Sequence, residues 1–117
     1  MNYWFSDLYG HIDGLRVLPT LSCVTDDIAC TMFNGPTMNG REELKRGLEQ
    51  FWQMIEGMNH RFVTVIEQGD MTMFEAAVSY ARKDGKEVEL RIATALQRRG
   101  NQASAIRVYG DASPLFA

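Results

Sequence analysis

The chain has 117 residues, 45% of them hydrophobic and 23% charged. That is the size and balance of one folded domain, residues 1–117, and it excludes a disordered segment. Fifteen acidic residues against twelve basic give a net charge of −3, whereas a nucleic-acid surface needs a basic stripe to neutralise phosphates. No apolar run approaches the ~20 residues that span a bilayer. The first residues lack the basic and apolar regions of a secretory signal, so a cytoplasmic protein is expected.

Trp4, Phe5, Leu8, Tyr9 and Ile12 form one apolar helical stripe, which Asp13-Gly14 ends. Leu15, Leu18 and Leu21 suggest a shorter second helix, starting near Pro19 or distorted there. Cys23 and Cys30 flank an apparent loop without metal-ligand spacing and read as two reduced thiols, so no metal is expected. Asp26-Asp27 leads into a short strand over 28–34, followed by the turn Gly35-Pro36. The longest helix opens at Gly40, with Asn39 as N-cap and Glu42 completing a capping box. Its apolar positions are Leu44, Leu48, Phe51, Trp52 and Ile55, and Gly57 closes it.

The period then changes. Residues 61–68, 71–82, 87–97 and 103–110 read as strands separated by Gly69-Asp70, Asp84-Gly85 and Gly100-Asn101, signals of the hairpin kind. Helices followed by consecutive hairpins predict an α+β domain, its helices lying against one face of an antiparallel meander.

The order of motifs carries a resemblance. Phe33-Asn34-Gly35-Pro36 precedes Gly40-Arg41-Glu42 and a helix ending in Phe51-Trp52. His60 opens the next strand, Tyr80-Ala81-Arg82-Lys83-Asp84-Gly85 closes a later one, and residues 107–115 run Arg-Val-Tyr-Gly-Asp-Ala-Ser-Pro-Leu. This pattern resembles the SnoaL-like branch of the nuclear transport factor 2-like superfamily over nearly the whole length. The resemblance implies a cone with a strongly curved antiparallel sheet around an internal pocket, often dimeric through the sheet's outer face. It also implies an apolar small-molecule ligand, with no organic cofactor. Members include polyketide cyclases, ketosteroid isomerases, limonene-epoxide hydrolases and proteins with no known reaction, so function must be argued from the site.

Asp111 matches the acid/base aspartate of SnoaL-like cyclases. In an apolar pocket its pKa would rise toward a useful range; alternatively it caps the turn before Pro114. Alternation puts Tyr109 and Arg107 on the side of Asp111, to bind a substrate oxygen or carboxylate. Their other readings are a core aromatic and an ion-pair partner. His60 is a second acid/base candidate or a structural histidine, and Asn34 a substrate contact or a turn residue. Ser79 joins the substrate-binding set, and Glu75, of the same parity, offers a replacement carboxylate.

The departures are equally informative. Ala77 and Ser79 stand where epoxide hydrolases need an Arg and an Asp. Met32 stands where ketosteroid isomerases carry their base, and Phe5 near their first-helix tyrosine. Arg91 is expected to face outward, toward a dimer interface. The sequence supports three readings: a SnoaL-like acid/base enzyme acting by enolisation, cyclisation or dehydration, a non-catalytic module binding an apolar ligand, and a dimerisation unit with a filled pocket.

Overall fold

In the computed structural model, which describes residues 2–117, the first helix, α1, spans Ser6–Asp13. Trp4 and Phe5 precede it instead of lying within it, and Phe5 is fully buried among Tyr3, Tyr9, Phe62 and Phe74. The helix ends in a Schellman turn: the Arg16 N–H donates to the His11 carbonyl and the Leu15 N–H to that of Ile12. The left-handed residue of that turn is Leu15, φ 54°, one position beyond the glycine that marked the stop. Helix α2, Val17–Leu21, contains Pro19 in its first turn, where an N–H has no intrahelical acceptor and its loss costs little.

Strand β1, Val24–Met32, starts four residues before the expected strand. Asp26 and Asp27 lie within it, their carboxylates paired outside with Arg41 and Arg99. A two-residue strand β2, Met38–Asn39, leads into α3, Gly40–Trp52. Here the capping differs from expectation. The Asn39 side chain makes no cap; its backbone N–H donates to Glu43 Oε1 at 2.9 Å. Leu44, Leu48 and Trp52 are buried, each contributing roughly 1.5–3 kcal/mol by leaving water. The helix stops at Trp52, so Ile55 and Gly57 belong to β3, Ile55–Gln68. His60 therefore sits inside a long strand and does not open one.

The meander continues through β4 (Met71–Arg82), β5 (Glu87–Arg99) and β6 (Gln102–Tyr109), and a short helix α4, Ser113–Phe116, follows. The sheet order is β2-β1-β6-β5-β4-β3, with β1 parallel to β6 and the other pairs antiparallel. The sheet is open and its register slips at four places, including Phe62/Thr64 and Gln97/Arg98. Such bulges add bend and twist, and the helices fill the concave side.

Pairing fixes which side chains share that concave face. Met58, His60 and Phe62 on β3 stand opposite Tyr80, Val78 and Ala76 on β4, which stand opposite Val88, Leu90 and Ile92 on β5. Thr94 and Leu96 then oppose Val108 and Ile106 on β6. The convex face carries Ser79, Ala77 and Glu75 beside Glu89, Arg91 and Ala93. Tyr109 opposes Ala93 and Arg107 opposes Ala95 on that same convex face.

Candidate functional site

Between α1, α3 and the concave face lies a cavity of about 70 Å³. Its floor is buried, with Leu48, Trp52 and Ile106 among the contributors; its rim is half-buried and includes Met32, Phe33 and Met58. Among the described residues, no Lys, Arg, Asp or Glu side chain lines it. The strained backbone of Phe33, φ 58°, is held by its N–H donating to Val108 O at 2.8 Å, which keeps the ring at the rim.

The polar group that stands out on this wall is His60. Its Nδ1 lies 2.6 Å from Asp13 Oδ1, and its backbone N–H donates to Asp13 Oδ2 at 2.9 Å. Both carboxylate oxygens are thereby engaged by one residue 47 positions away in sequence. The imidazole is 6% exposed and the carboxylate 23%. The ring packs edge-on against Tyr9, centroids 4.7 Å apart, and against the face of Phe62 at 6.1 Å. Asp13 is the last residue of α1, where the helix dipole disfavours a negative charge. The two hydrogen bonds from His60 offset that penalty, and the Schellman turn at Leu15 fixes where the carboxylate points. In the neutral ring, Nδ1–H donates to Asp13 and the lone pair is on Nε2.

Two tyrosines join His60, Thr20 and Cys30 among the wall's polar groups. Tyr9 and Tyr80 are 5% and 4% exposed and both line the cavity. Burial foremost, and the Asp13 carboxylate near it, hold the Tyr9 hydroxyl far above the usual phenol range. Burial and Asp13 push Tyr80 up to about 12. Both therefore stay protonated donors across neutral pH. Cys30, also on the wall, is pushed up to about 12 by burial and stays a thiol. Among the described residues, no three His, Cys, Asp or Glu side chains cluster as a metal site.

Of the catalytic and substrate-binding candidates read from sequence, His60 alone lines this cavity. Asp111 is exposed and its Oδ1 accepts the Ser113 N–H at 2.9 Å, capping the turn into α4. That backbone N–H holds its carboxyl below the usual range, opposite to the rise an apolar pocket would produce. Tyr109, 53% exposed, and Arg107 lie on the convex face, because Ile106 and Val108 take the cavity-facing positions of β6. The same parity puts Ser79 and Glu75 outside, since Tyr80 and Ala76 point in. Asn34 is exposed in the turn before β2. Arg91 faces out, over a groove it shares with Glu75 and Val63. Asp13, bonded to His60, and Tyr9 and Tyr80, on the cavity wall, had not been candidates. The available signal was an acidic residue in the last turn of a helix, where charge of that sign is unfavourable.

A search of curated proteins by sequence gives no match. Solved structures share the fold. A nuclear transport factor 2-like protein of unknown function from Burkholderia pseudomallei superposes with a TM-score of 0.85 at 14% identity, covering 97% of this chain and 92% of its own. A protein of ketosteroid isomerase-like fold from Catenulispora acidiphila, in complex with trimethylamine, gives 0.83 at 20% identity, covering 93% and 85%. A putative SnoaL-like polyketide cyclase from Jannaschia gives 0.79 at 15%, covering 96% and 83%. By sequence, residues 10–106 match the SnoaL-like domain, and the chain belongs to that family.

Proposed function

We propose that this protein is an acid/base enzyme acting on an apolar, oxygenated small molecule, with His60 as proton shuttle and Asp13 as its positioning partner. The observation that carries this reading is the 2.6 Å contact between His60 Nδ1 and Asp13, with the ring set in the wall of a cavity free of charged side chains. A carboxylate on Nδ1 fixes the tautomer and stabilises the imidazolium that forms when Nε2 takes a proton. Nε2 removes a proton from carbon next to a carbonyl, and the C–H electron pair moves onto the carbonyl oxygen as an enolate. Return of that proton to another carbon gives isomerisation; attack of the enolate carbon on a second carbonyl of the substrate, whose oxygen takes the proton from His60, gives cyclisation; a β-hydroxyl that takes that proton and leaves as water gives dehydration. No step requires a cofactor.

The test is hydrogen–deuterium exchange at the α-carbon of small aryl ketones in heavy water, followed by NMR. Exchange above background that disappears in His60→Gln is expected. Exchange unaffected by that substitution, or none with any ketone, would sink the enzymatic reading and leave a binding module for apolar ligands. The uncharged wall favours that second reading equally; the Asp13–His60 pair is what it leaves unexplained.

On the convex face Val63, Met73 and Tyr109 are each about half exposed, which supports a homodimer through the sheet. Both cysteines are free thiols, which suits a cytoplasmic protein. No helix among the described residues is long and apolar enough to cross a membrane.

A further inference from the structure

We infer that the substrate is an elongated, amphipathic carbonyl compound. Its uncharged head enters the cavity, its chain passes Met32 into an outer groove along α3, and a carboxylate at the chain's end meets Arg46. This inference deepens the acid/base reading of the cavity and rests on it.

The first observation is a mismatch of size. The cavity holds about 70 Å³, whereas small-molecule sites run to roughly 300–1,000 Å³. Further volume lies next to it. Between residues 33–37 and α3 runs a groove of about 380 Å³, and Met32 lines both it and the cavity. The α3 sequence builds the two spaces side by side. Leu44, Leu48 and Phe51 form the helical stripe on the cavity. Glu43, Arg46, Gly47 and Gln50, spaced i, i+3, i+4 and i+7, form the neighbouring stripe on the groove.

The second observation is what separates the two spaces. The Met32 backbone is fixed: its carbonyl accepts the Gly35 N–H at 3.1 Å, and it pairs with Val108 on β6. Its side chain is the adaptable part, an unbranched thioether with three rotatable bonds. Gly47 shapes the other side of the groove. Glycine is disfavoured inside a helix, and a Cβ at this position would overlap the Met38 sulfur. Without one, Met38 on β2 lies against the α3 backbone and lines the groove.

The third observation is charge. Glu43 and Arg46 are the charged side chains on the groove wall among the described residues. Glu43 is already engaged: its Oε1 accepts the Asn39 N–H at 2.9 Å, in the first turn of α3, where the helix dipole favours an anion. Arg46 is exposed and has no ion-pair partner among the described residues. The Gln50 amide, one turn further on, adds a second donor. A carboxylate is therefore matched at the groove, where a guanidinium can meet it, and not in the cavity, where no Lys or Arg would offset its desolvation.

The probes are ω-benzoylalkanoic acids of increasing chain length, each with its methyl ester, and acetophenone as the head alone. They are titrated by NMR against the intact protein at low salt. Expected is an optimum chain length at which the acid binds about fivefold tighter than its ester, a gap that closes at about 1 M salt. Arg46→Gln brings that acid down to its ester and leaves the ester itself within about twofold. Gln50→Trp, at an exposed position, fills the groove. It weakens acid and ester alike by at least about fivefold and spares acetophenone. Acids and esters of equal affinity at every length would overturn the inference. So would a gap that survives Arg46→Gln, long-chain binding indifferent to Gln50→Trp, or no binding by any member of the series. Failure of the parent reading is distinguishable: the acid–ester gap would hold while His60-dependent exchange is absent. The converse, His60-dependent exchange with no acid–ester gap, would sink this inference and keep the acid/base reading.

Discussion

Two aspartates close two segments of this chain, and their surroundings make them different reagents. Asp13 ends α1, is largely enclosed, and gives both oxygens to His60. Asp111 follows β6, stands in solvent, and accepts the Ser113 N–H. Residue type is the same; what differs is whether a titratable partner or a backbone turn occupies the carboxylate. The sharpest way to break this contrast is a matched pair of variants. Asp13→Asn removes the acceptor that fixes the His60 tautomer, and ketone exchange is expected to fall by at least about 100-fold. Asp111→Asn is expected to stay within about twofold, because nothing it touches reaches the cavity. Carboxyl-carbon NMR gives a second check. The Asp111 titration should lie below the ordinary aspartate value, so its stabilising contribution is present above that value and lost as pH falls through the folded one. A raised Asp111 pKa with exchange lost in Asp111→Asn would reverse the assignment.

The two faces of β6 teach the same lesson at one-residue resolution. Ile106 is buried on the cavity floor, and its neighbour Arg107 lies on the convex face. Ile106→Ala is expected to cost about 3 kcal/mol in denaturant unfolding, the transfer loss plus the cavity left behind. Arg107→Ala should change stability by less than about 0.5 kcal/mol. Comparable losses in the two variants would mean that the register of β6 is shifted, because a one-residue slip exchanges the faces completely.

That sensitivity explains what could be read from the sequence and what could not. The meander was legible because its turns carry Gly69, Gly85 and Gly100, all of which adopt positive φ. The family resemblance and the α3 stripe were legible for similar local reasons. The start of β1 was not, since Asp26 and Asp27 look like a loop until Arg41 and Arg99 are brought beside them. At the site, His60 was visible as a residue type in a recurring place. Asp13 read as a helix stop because its partner is 47 residues on, and no local pattern encodes that pairing. Tyr109 and Arg107 were placed by parity with Asp111, which lies beyond the end of β6. The apolar alternation Ile106, Val108 was the better guide, because burial sets a strand's facing and a carboxylate past its end does not.

Alkaline pH separates the concave face from the rest of the molecule in a third way. Tyr80 is pushed up to about 12 in the folded chain, whereas an unfolded tyrosine titrates near 10. The folded pKa is the higher one. Its contribution to stability is therefore fully present below pH ~10 and is lost as pH rises toward the folded value. The denaturant midpoint should accordingly fall between about pH 10 and 12, and less steeply in Tyr80→Phe. An identical slope in the variant would mean that the Tyr80 phenol is as well solvated in the folded chain as in the unfolded one.

The smallest expected effect lies at the back of the same face. Thr94 is fully buried on β5 between Phe74 and Val108, and its hydroxyl has no hydrogen-bond partner. Val has the same shape and replaces that hydroxyl by a methyl, so Thr94→Val removes a desolvated polar atom without opening a cavity. It is expected to raise stability by about 1 kcal/mol, read as a higher denaturant midpoint at unchanged slope. If stability falls instead, the hydroxyl has a partner in solution, and the Tyr9 hydroxyl is the candidate. Tyr9 would then be oriented by Thr94. The sign of this modest change thus bears directly on whether the sheet holds that phenol in place.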